Sequence, residues 1–315
     1  MNRDLLQDGV SSASGPTRKI PFYRKSKWIE AVNGWLFVLP VVLGTLLLNI
    51  LPAIPNLYYS MTEWNGLTDP QWIGFDNYRS MRHNDDFLNS MKVTSIYVVT
   101  SVPLTMIAAL GLALLVNRKL RGMSIFRAIF YVPHIASIIA VVIVFRYLLA
   151  PRFGLINEAL WNVFGIAGPN WLGQSNTAMA SVVLVTVYMA AGYQMVLFLA
   201  GLQNIPEHLY EAATIDGASA WTKFWTITLP LLTPTIFFVL IITIIGSFNV
   251  FGLVFALTAG GPGRATEVIF YLIYQQAFEE YKFGFASAMA VVVSVLVGLL
   301  TAFNWWLGKR WVFYG

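Results

Sequence analysis

The sequence contains no cysteine among its 315 residues. Thiolate ligands are therefore not available for a zinc site or an iron–sulfur cluster, and no disulfide can form. This absence excludes a small secreted domain held together by disulfides. It does not identify the compartment in which the protein works.

Charged residues are also scarce. The chain has 15 acidic and 20 basic residues, together 11%, whereas a soluble domain carries roughly 25%. Because Lys, Arg, Asp and Glu belong in contact with water, so few of them could not cover a soluble protein of this length. Hydrophobic residues make up 57%, and the mean hydropathy is +0.65. The composition excludes a soluble enzyme and a disordered chain, and it predicts an all-α, polytopic membrane protein.

The sequence lacks the motifs that are typical of several functional classes. The apolar stretches carry no Asp, Glu or Lys at their centres, although proton and sodium relays place ionisable groups inside the membrane. The pattern G-x-x-x-x-G-K-[ST] does not occur, so the chain has no phosphate-binding loop of its own. A metal cluster, or a paired nucleophile and base, is not visible either. We expect a subunit that is not an enzyme, holds no cofactor and binds no nucleic acid.

Segments free of Asp, Glu, Lys and Arg are long enough to cross a bilayer, which takes about 20 apolar residues as a helix. We place six transmembrane helices in these segments. The charge-free segment 159–178 is rich in Gly and Asn and is interpreted as a loop, with a surface helix inside it as the open alternative. The six helices are expected near residues 34–59, 93–117, 125–149, 179–203, 232–257 and 284–307.

Basic residues are divided unevenly between the two sides of these helices. Most Lys and Arg lie in the N-terminal tail, the second and fourth connections and the C-terminus, which the positive-inside rule assigns to the cytoplasm. We therefore expect a basic cytoplasmic tail over 1–33, a transmembrane domain over 34–307 and a cytoplasmic C-terminus over 308–315. The tail is polar and the apolar stretch after it has full membrane length, so it is not a signal peptide.

The fourth connection, residues 204–231, shows a pattern typical of two short helices joined by a turn. Pro206 suits the first turn of a helix, and Glu207 is favourable near a helix N-terminus. Gly217 permits a sharp turn. Helices are predicted over 206–215 and 218–227, forming an elbow on the membrane surface that can present one end to a cytosolic partner.

The same connection contains Glu211-Ala212-Ala213, then Gly217, then Ile227-x-Leu229-Pro230. This spacing resembles the complete EAA motif of the permease subunits of binding-protein-dependent ABC importers. The short C-terminus resembles that of the first member of a heterodimeric permease pair. Other segments resemble the carbohydrate-importer branch of the family, at 60–64, 73–78, 131–133, 154–157 and 257–262.

The resemblance implies a type I ABC importer permease fold in the bacterial inner membrane, working by alternating access. It implies a second permease subunit, two cytoplasmic ATPase subunits that bind ATP and magnesium, and an extracytoplasmic substrate-binding protein. The substrate would be a sugar, either a di- or oligosaccharide or a glycoside, and membrane lipid would surround the helices. The residues implied in the contact with the ATPases are Glu211, Ala212, Ala213, Asp216 and Gly217.

A sugar site needs neutral hydrogen-bonding groups and aromatic faces. The middles of predicted helices four and five supply both, and relatives use these helices for substrate contacts. The predicted contacts are Tyr188, Gly192, Gln194, Phe248 and Asn249. Asn249 would bond a hydroxyl group and Phe248 would stack on the sugar ring. Two alternatives stay open: these residues serve helix packing, or the second permease holds the site. His134 in helix three is interpreted as a packing histidine.

The alternative function is a secondary transporter or facilitator for a neutral solute. Such proteins often carry internal repeats, which the sequence does not show. The sequence does not identify the sugar, because the binding protein on another chain largely makes that choice.

Overall fold

The computed structural model describes residues 27–118 and 120–312. The basic tail predicted over 1–33 therefore lies almost wholly outside the described residues. The chain divides into two units, residues 1–54 and 55–315. The first unit contains α1 (Lys27–Thr45), a π-helical turn (Leu46–Ile50) and the start of α2 (Ala53–Tyr59). None of its described side chains is buried, as expected of apolar residues that face lipid.

The second unit continues with a small hairpin, in which β1 (Thr62–Glu63) pairs antiparallel with β2 (Gln71–Trp72). The short helix α3 (Asp76–Met81) follows. Asn77 on α3 is buried and donates through Nδ2 to the carbonyl oxygens of Ser60 at 3.0 Å and Thr62 at 2.9 Å. One amide thus holds α3 against the hairpin.

Eight helices make up the middle of the chain. They are α4 (Asp85–Val116), α5 (Met123–Ile135), α6 (Ile138–Leu148), α7 (Leu155–Phe164), α8 (Ser175–Gln203), α9 (Glu207–Ile215), α10 (Ala220–Lys223) and α11 (Leu229–Leu231). A π-helical turn, Phe224–Thr228, joins α10 to α11. Asn84 caps α4, its Oδ1 accepting from the backbone N–H of Phe87 at 2.8 Å, which ties down an otherwise unpaired donor.

Four helices follow. They are α12 (Thr233–Phe248), α13 (Phe251–Leu257), α14 (Ile269–Tyr274) and α15 (Phe283–Trp311), with a π-helical turn, Gln275–Glu279, after α14. Lys309 and Arg310 lie in the last turn of α15, where positive charge is favourable to the helix dipole.

Four described helices are long and apolar enough to cross a membrane. They are Ala31–Tyr59, Asp85–Val116, Ser175–Gln203 and Phe283–Trp311. Two bent pairs, α5 with α6 and the segment Ala220–Leu231 with α12, bring the number to six if each pair is one span. An all-α membrane protein was predicted, and the structure confirms it.

The interior of the predicted spans differs from the sequence expectation at two points. Where one helix was expected over 125–149, α5 and α6 meet at a bend of 97°, because Ala136 and Ser137 have extended backbone. Pro133, in the last turn of α5, removes a backbone donor just before this bend. Where one helix was expected over 232–257, the chain is interrupted between α12 and α13. The expected loop 159–178 begins inside helix α7.

Three buried clusters hold the second unit together. α4 packs along α8 and α12, α5 packs on α8, and α15 packs on α12 and α14. Fully buried side chains at these contacts include Tyr97, Val182, Met195, Phe198 and Met289. Close-packed interfaces of this kind stabilise helices in lipid, where there is no hydrophobic driving force between them.

The connection between α13 and α14 is fastened to the start of α4. Arg264 pairs with Asp86, and the backbone N–H of Ile269 donates to Thr94 Oγ1 at 2.8 Å. Glu267 in this connection is only 4% exposed. Burial raises the pKa of the Glu267 carboxyl, and the nearby Arg264 guanidinium, with Nε 3.8 Å from Oε2, opposes that rise.

Candidate functional site

The elbow predicted in the fourth connection is present, formed by α9 and α10. α9 ends at Ile215, and Gly217 takes the left-handed conformation with φ +76°, which a residue with a Cβ adopts only at a cost. The backbone N–H of Ala218 reaches back to the carbonyl oxygen of Ala213 at 2.9 Å. This closes the C-terminus of α9 and turns the chain into α10.

The elbow has two arms: α9 is the first, and α10 with the π-helical turn after it is the second. Side-chain hydrogen bonds fix the angle between them. Lys223 Nζ donates to Thr214 Oγ1 at 2.7 Å, and the hydroxyl groups of Tyr210 and Thr228 are 2.9 Å apart. Ser219 caps α10, its Oγ accepting from the backbone N–H of Thr222 at 3.1 Å. The first two bonds therefore join the two arms, and the Ser219 cap orders the second arm itself.

The predicted coupling residues lie on the outside of this elbow. Glu211, Ala212, Asp216 and Gly217 are exposed, Ala213 is half-buried, and none of the described residues of α9 is buried. Asp216 stands at the C-terminus of α9, where a negative charge is unfavourable to the helix dipole. The end of α9 thus offers carboxylates and small side chains that no residue in the described part of the chain covers.

Three aromatic residues in the second arm were not singled out as a site from the sequence. Trp221 and Trp225 lie edge to face at 5.5 Å, and Phe224 meets Trp225 at 5.4 Å. Trp221 is 70% exposed. Their helical spacing was visible in the sequence, but their exposure was not.

A cavity of about 330 Å³ lies among α4, α5, α8, α12 and α13. Its polar lining includes Tyr97, Thr186, Gln194, Thr243 and Asn249. Among the described residues that line it, none is Asp, Glu, Lys or Arg. A solute held there would meet hydroxyl and amide groups and apolar walls, a lining that suits a neutral polar molecule.

Two of the predicted substrate contacts face this cavity. Gln194 is 4% exposed, and its Nε2 donates to Thr243 Oγ1 at 2.9 Å. Its Oε1 is buried and has no hydrogen-bond partner among the described residues, which leaves an acceptor free for a donor in the cavity. Asn249 lies at the interruption between α12 and α13, where helical bonding stops.

The other three predicted contacts lie outside the cavity lining. Gly192 is where α8 meets α5: a Cβ at this position would collide with the carbonyl oxygen of Phe130, so the residue permits close helix approach. Phe248 is 6% exposed and packs in a core cluster with Ile269 and Met289. Tyr188 is half-exposed and meets the edge of Phe145 at 5.1 Å.

His134 and Tyr97 also line the cavity, although the sequence indicated neither as a site residue. The His134 ring stacks on Tyr193 with centroids 4.7 Å apart. The Tyr97 hydroxyl lies 3.0 Å from Thr186 Oγ1. Each is a polar aromatic residue inside an apolar span, Tyr97 in the second predicted span and His134 in the third. That pattern could have indicated them from the sequence.

Two of the polar residues that line the cavity lie where helices are interrupted. His134 is in the last turn of α5, just before the bend, and Asn249 stands between α12 and α13. The backbone N–H and C=O groups at such an interruption lack helical partners and find none in lipid. Irregular backbone at membrane depth therefore occurs where it lines a water-filled cavity. Both interruptions thus border one chamber.

The family model described as "Binding-protein-dependent transport system inner membrane component" matches residues 101–312. Among curated proteins, the chain is similar to the probable starch degradation products transport system permease protein AmyD of Thermoanaerobacterium thermosulfurigenes. The two are 31% identical over 293 residues, which is 93% of this chain and 98% of that protein.

It is also similar to the sn-glycerol-3-phosphate transport system permease protein UgpA of Agrobacterium fabrum, with 34% identity over 89% of this chain and 96% of that protein. Among solved structures, a chain of a bacterial ABC transporter involved in the import of the acidic polysaccharide alginate matches with a TM-score of 0.75. The identity is 24%, and the match covers 90% of this chain and 98% of that chain. This likeness shows a shared type I importer permease fold. The chain therefore belongs to the family of binding-protein-dependent transport system inner membrane components, as a multi-pass permease subunit of an ABC importer.

Proposed function

We propose that this protein is one of two different permease subunits through which an ABC importer, driven by ATP, moves a sugar or glycoside into the cytoplasm. A binding protein would deliver the substrate from outside, and two ATPase subunits would bind ATP and magnesium and dock on the elbow. The helices would then rock between outward-facing and inward-facing states. Family membership favours this function over that of a secondary transporter.

The exposed end of α9 is the observation that carries the coupling role. Ile215 is 87% exposed, and it lies beside the small Ala212 and the carboxylates of Glu211 and Asp216. An apolar side chain flanked by small residues suits a partner cleft, and a carboxylate can accept charge-assisted hydrogen bonds from basic residues there. The EAA resemblance points to the same residues.

Glu211→Gln tests the coupling role in the complex purified with its partner subunits. We expect the ATP hydrolysis that loaded binding protein stimulates to fall about tenfold or more, since a charge-assisted bond is worth about 1.5–3 kcal/mol. The affinity of the binding protein for its sugar should not change. Glu158→Gln is the matched control, because Glu158 is also an exposed helical acid and lies on α7.

Full stimulation in the Glu211 variant, or equal loss in both variants, would contradict the assignment of the elbow. Purification of the subunit without any ATPase would contradict the ABC function itself. A secondary transporter would show transport in vesicles that contain this subunit alone.

The lining of the cavity supports a neutral substrate. The two relatives are named for the transport of starch degradation products and of sn-glycerol-3-phosphate. A phosphate ester is best held by Lys or Arg, whereas the described residues that line the cavity include neither. We therefore propose that the substrate is a sugar or glycoside. Gln194 and Asn249 would form hydrogen bonds with its hydroxyl groups, and the rings of His134 and Tyr193 would pack against the sugar ring.

Transport by the reconstituted complex tests these contacts. Asn249→Ala and Gln194→Ala should each lower the rate of uptake of the radiolabelled sugar that the binding protein delivers, because each removes a hydrogen-bonding group from the lining of the cavity. Ser294→Ala is the control, since this hydroxyl lies on α15 and donates only to the carbonyl oxygen of Ala290 within its own helix at 2.8 Å. Unchanged uptake in both site variants would place the substrate contacts on the second permease.

A further inference from the structure

A second cavity, of about 650 Å³, lies where α4 and α8 end and α5 and α9 begin. Arg118 and Arg127 line it on one side, and Glu207 and Tyr210 of α9 line it on the other. Glu207 is its one carboxylate among the described lining residues. Among the described lining residues two guanidinium groups thus face one carboxylate, so the net charge of the lining is positive.

Arg127 is held in place and still has donor capacity. One terminal nitrogen, NH2, donates to the carbonyl oxygen of Val116 at 3.0 Å, at the C-terminus of α4. Its Nε is buried and has no hydrogen-bond partner among the described residues. A buried donor of this kind normally finds an acceptor. Arg118 is exposed at the mouth of the same cavity.

The N-terminus of α5 adds N–H groups and a favourable dipole at this point. Gly122 and Ser124 line the cavity as α5 begins. The donors around the cavity are therefore guanidinium, backbone N–H and hydroxyl groups. Such a set is typical of a phosphate-binding site.

Exposed apolar side chains accompany these donors: Leu120 lines the cavity, and others follow along the first turns of α5. Leu120, Ile125 and Phe126 are 58%, 63% and 52% exposed. Ile129, one turn further along α5, is also exposed. A free phosphate or nucleotide has no use for these apolar side chains, whereas a lipid has a phosphate at one end and acyl chains at the other.

We propose that this cavity binds the headgroup of an anionic phospholipid, with its acyl chains along the exposed face of α5. The site rests on the proposed function for its location, because the positive-inside orientation puts the ends of α4 and α8 at the cytoplasmic leaflet. Since α9 forms one wall, the bound headgroup contacts the first turn of the elbow. The lipid thereby links the composition of the cytoplasmic leaflet to the position of the coupling helix.

The test uses the membrane complex purified through this subunit and exchanged into nanodiscs of phosphatidylcholine, with or without phosphatidylglycerol. Native mass spectrometry counts the lipids that stay bound to the permease after the complex is released from the nanodisc. We expect phosphatidylglycerol to be retained in preference to phosphatidylcholine. Arg118→Gln should weaken that retention about fivefold, which corresponds to about 1 kcal/mol for one basic residue at the membrane surface.

Arg121→Gln is the matched control, because it removes the same charge from the same connection at an exposed residue outside the cavity lining. Equally weakened phosphatidylglycerol retention in the two variants would show that only the general surface charge matters, and it would contradict the proposed site. So would equal retention of the two lipids, or a gain in thermal stability from inorganic phosphate equal to that from phosphatidylglycerol. Failure of the ABC function is separate, because it shows as a missing ATPase subunit in the same spectra while lipid retention on the permease is still counted.

Discussion

Substituting Gly192 by alanine tests the closest helix contact beside the neutral cavity. A Cβ there would lie 2.7 Å from the carbonyl carbon of Phe130 and 3.1 Å from the Cα of Tyr131, and it would collide with the Phe130 carbonyl oxygen. Ordinary carbon contacts lie at about 3.5–4.0 Å. Because the obstructing atoms belong to the backbone, no side-chain rotation relieves the overlap, and α5 has to move away from α8.

Overpacking of this kind costs about 1–3 kcal/mol. The substitution also gains about 1 kcal/mol, because alanine favours a helix over glycine. Gly111→Ala provides the reference, since Gly111 lies within α4 and a Cβ there meets nothing within 4 Å. Both variants have the gain in helix propensity, so the difference between them isolates the collision.

Thermal unfolding of both variants in one detergent, followed by tryptophan fluorescence, gives that difference. For a protein of this size, about 1–3 kcal/mol corresponds to a Tm lower by about 2–12 °C for Gly192→Ala than for Gly111→Ala. Transport should fall as well, because moving α5 separates the stacked rings of His134 and Tyr193. An equal shift in Tm for the two variants would show that the two backbones are not in contact and would refute the reasoning.

Three further predictions concern the elbow and the connection between α13 and α14. Gly217→Ala should reduce stimulated ATP hydrolysis more than Gly217→Asn, since the left-handed conformation costs most L-residues about 1–2 kcal/mol and asparagine less; equal activities would speak against that conformation in the working complex. Ser219→Ala removes the acceptor for the Thr222 N–H and should destabilise the second arm by about 1 kcal/mol, measured as faster amide exchange over α10, with Thr226→Ala as the control that leaves exchange unchanged. Because the folded-state pKa of Glu267 is raised, its favourable contribution is complete below its ordinary value and is lost as pH rises through the folded value. Glu267→Gln should therefore flatten the decline of Tm from mildly acidic pH upward, and an unchanged slope would exclude this carboxyl as the cause.

Most of the fold could be predicted because the membrane imposes a simple rule on the sequence. A helix that crosses lipid must avoid Asp, Glu, Lys and Arg over its length, so the long runs that become α4, α8 and α15 are visible directly. The elbow was equally accessible, since Pro206 and Gly217 act locally, through the start of a helix and a positive φ.

The interior of the site was harder to predict because it depends on where helices break. Phe248 and Asn249 are neighbours in sequence, but helical bonding ends between them. Phe248 packs in the core and Asn249 lines the cavity at the interruption, and a 3.6-residue period does not show where a helix is interrupted. Tyr97 and Thr186 meet across two helices far apart in sequence, a contact that no local pattern contains.

The short first arm of the elbow has a consequence for how the subunit can be followed during assembly. Helices below about 12–15 residues are marginal in water on their own, and α9 has nine residues, none of them buried. Its order rests on a few hydrogen bonds to the second arm, so its amide protons should exchange readily in the isolated permease. A docked ATPase would slow that exchange in α9 and leave the exchange of α4 and α8 unchanged. The nine amides of α9 would therefore show how much of the permease carries a bound ATPase.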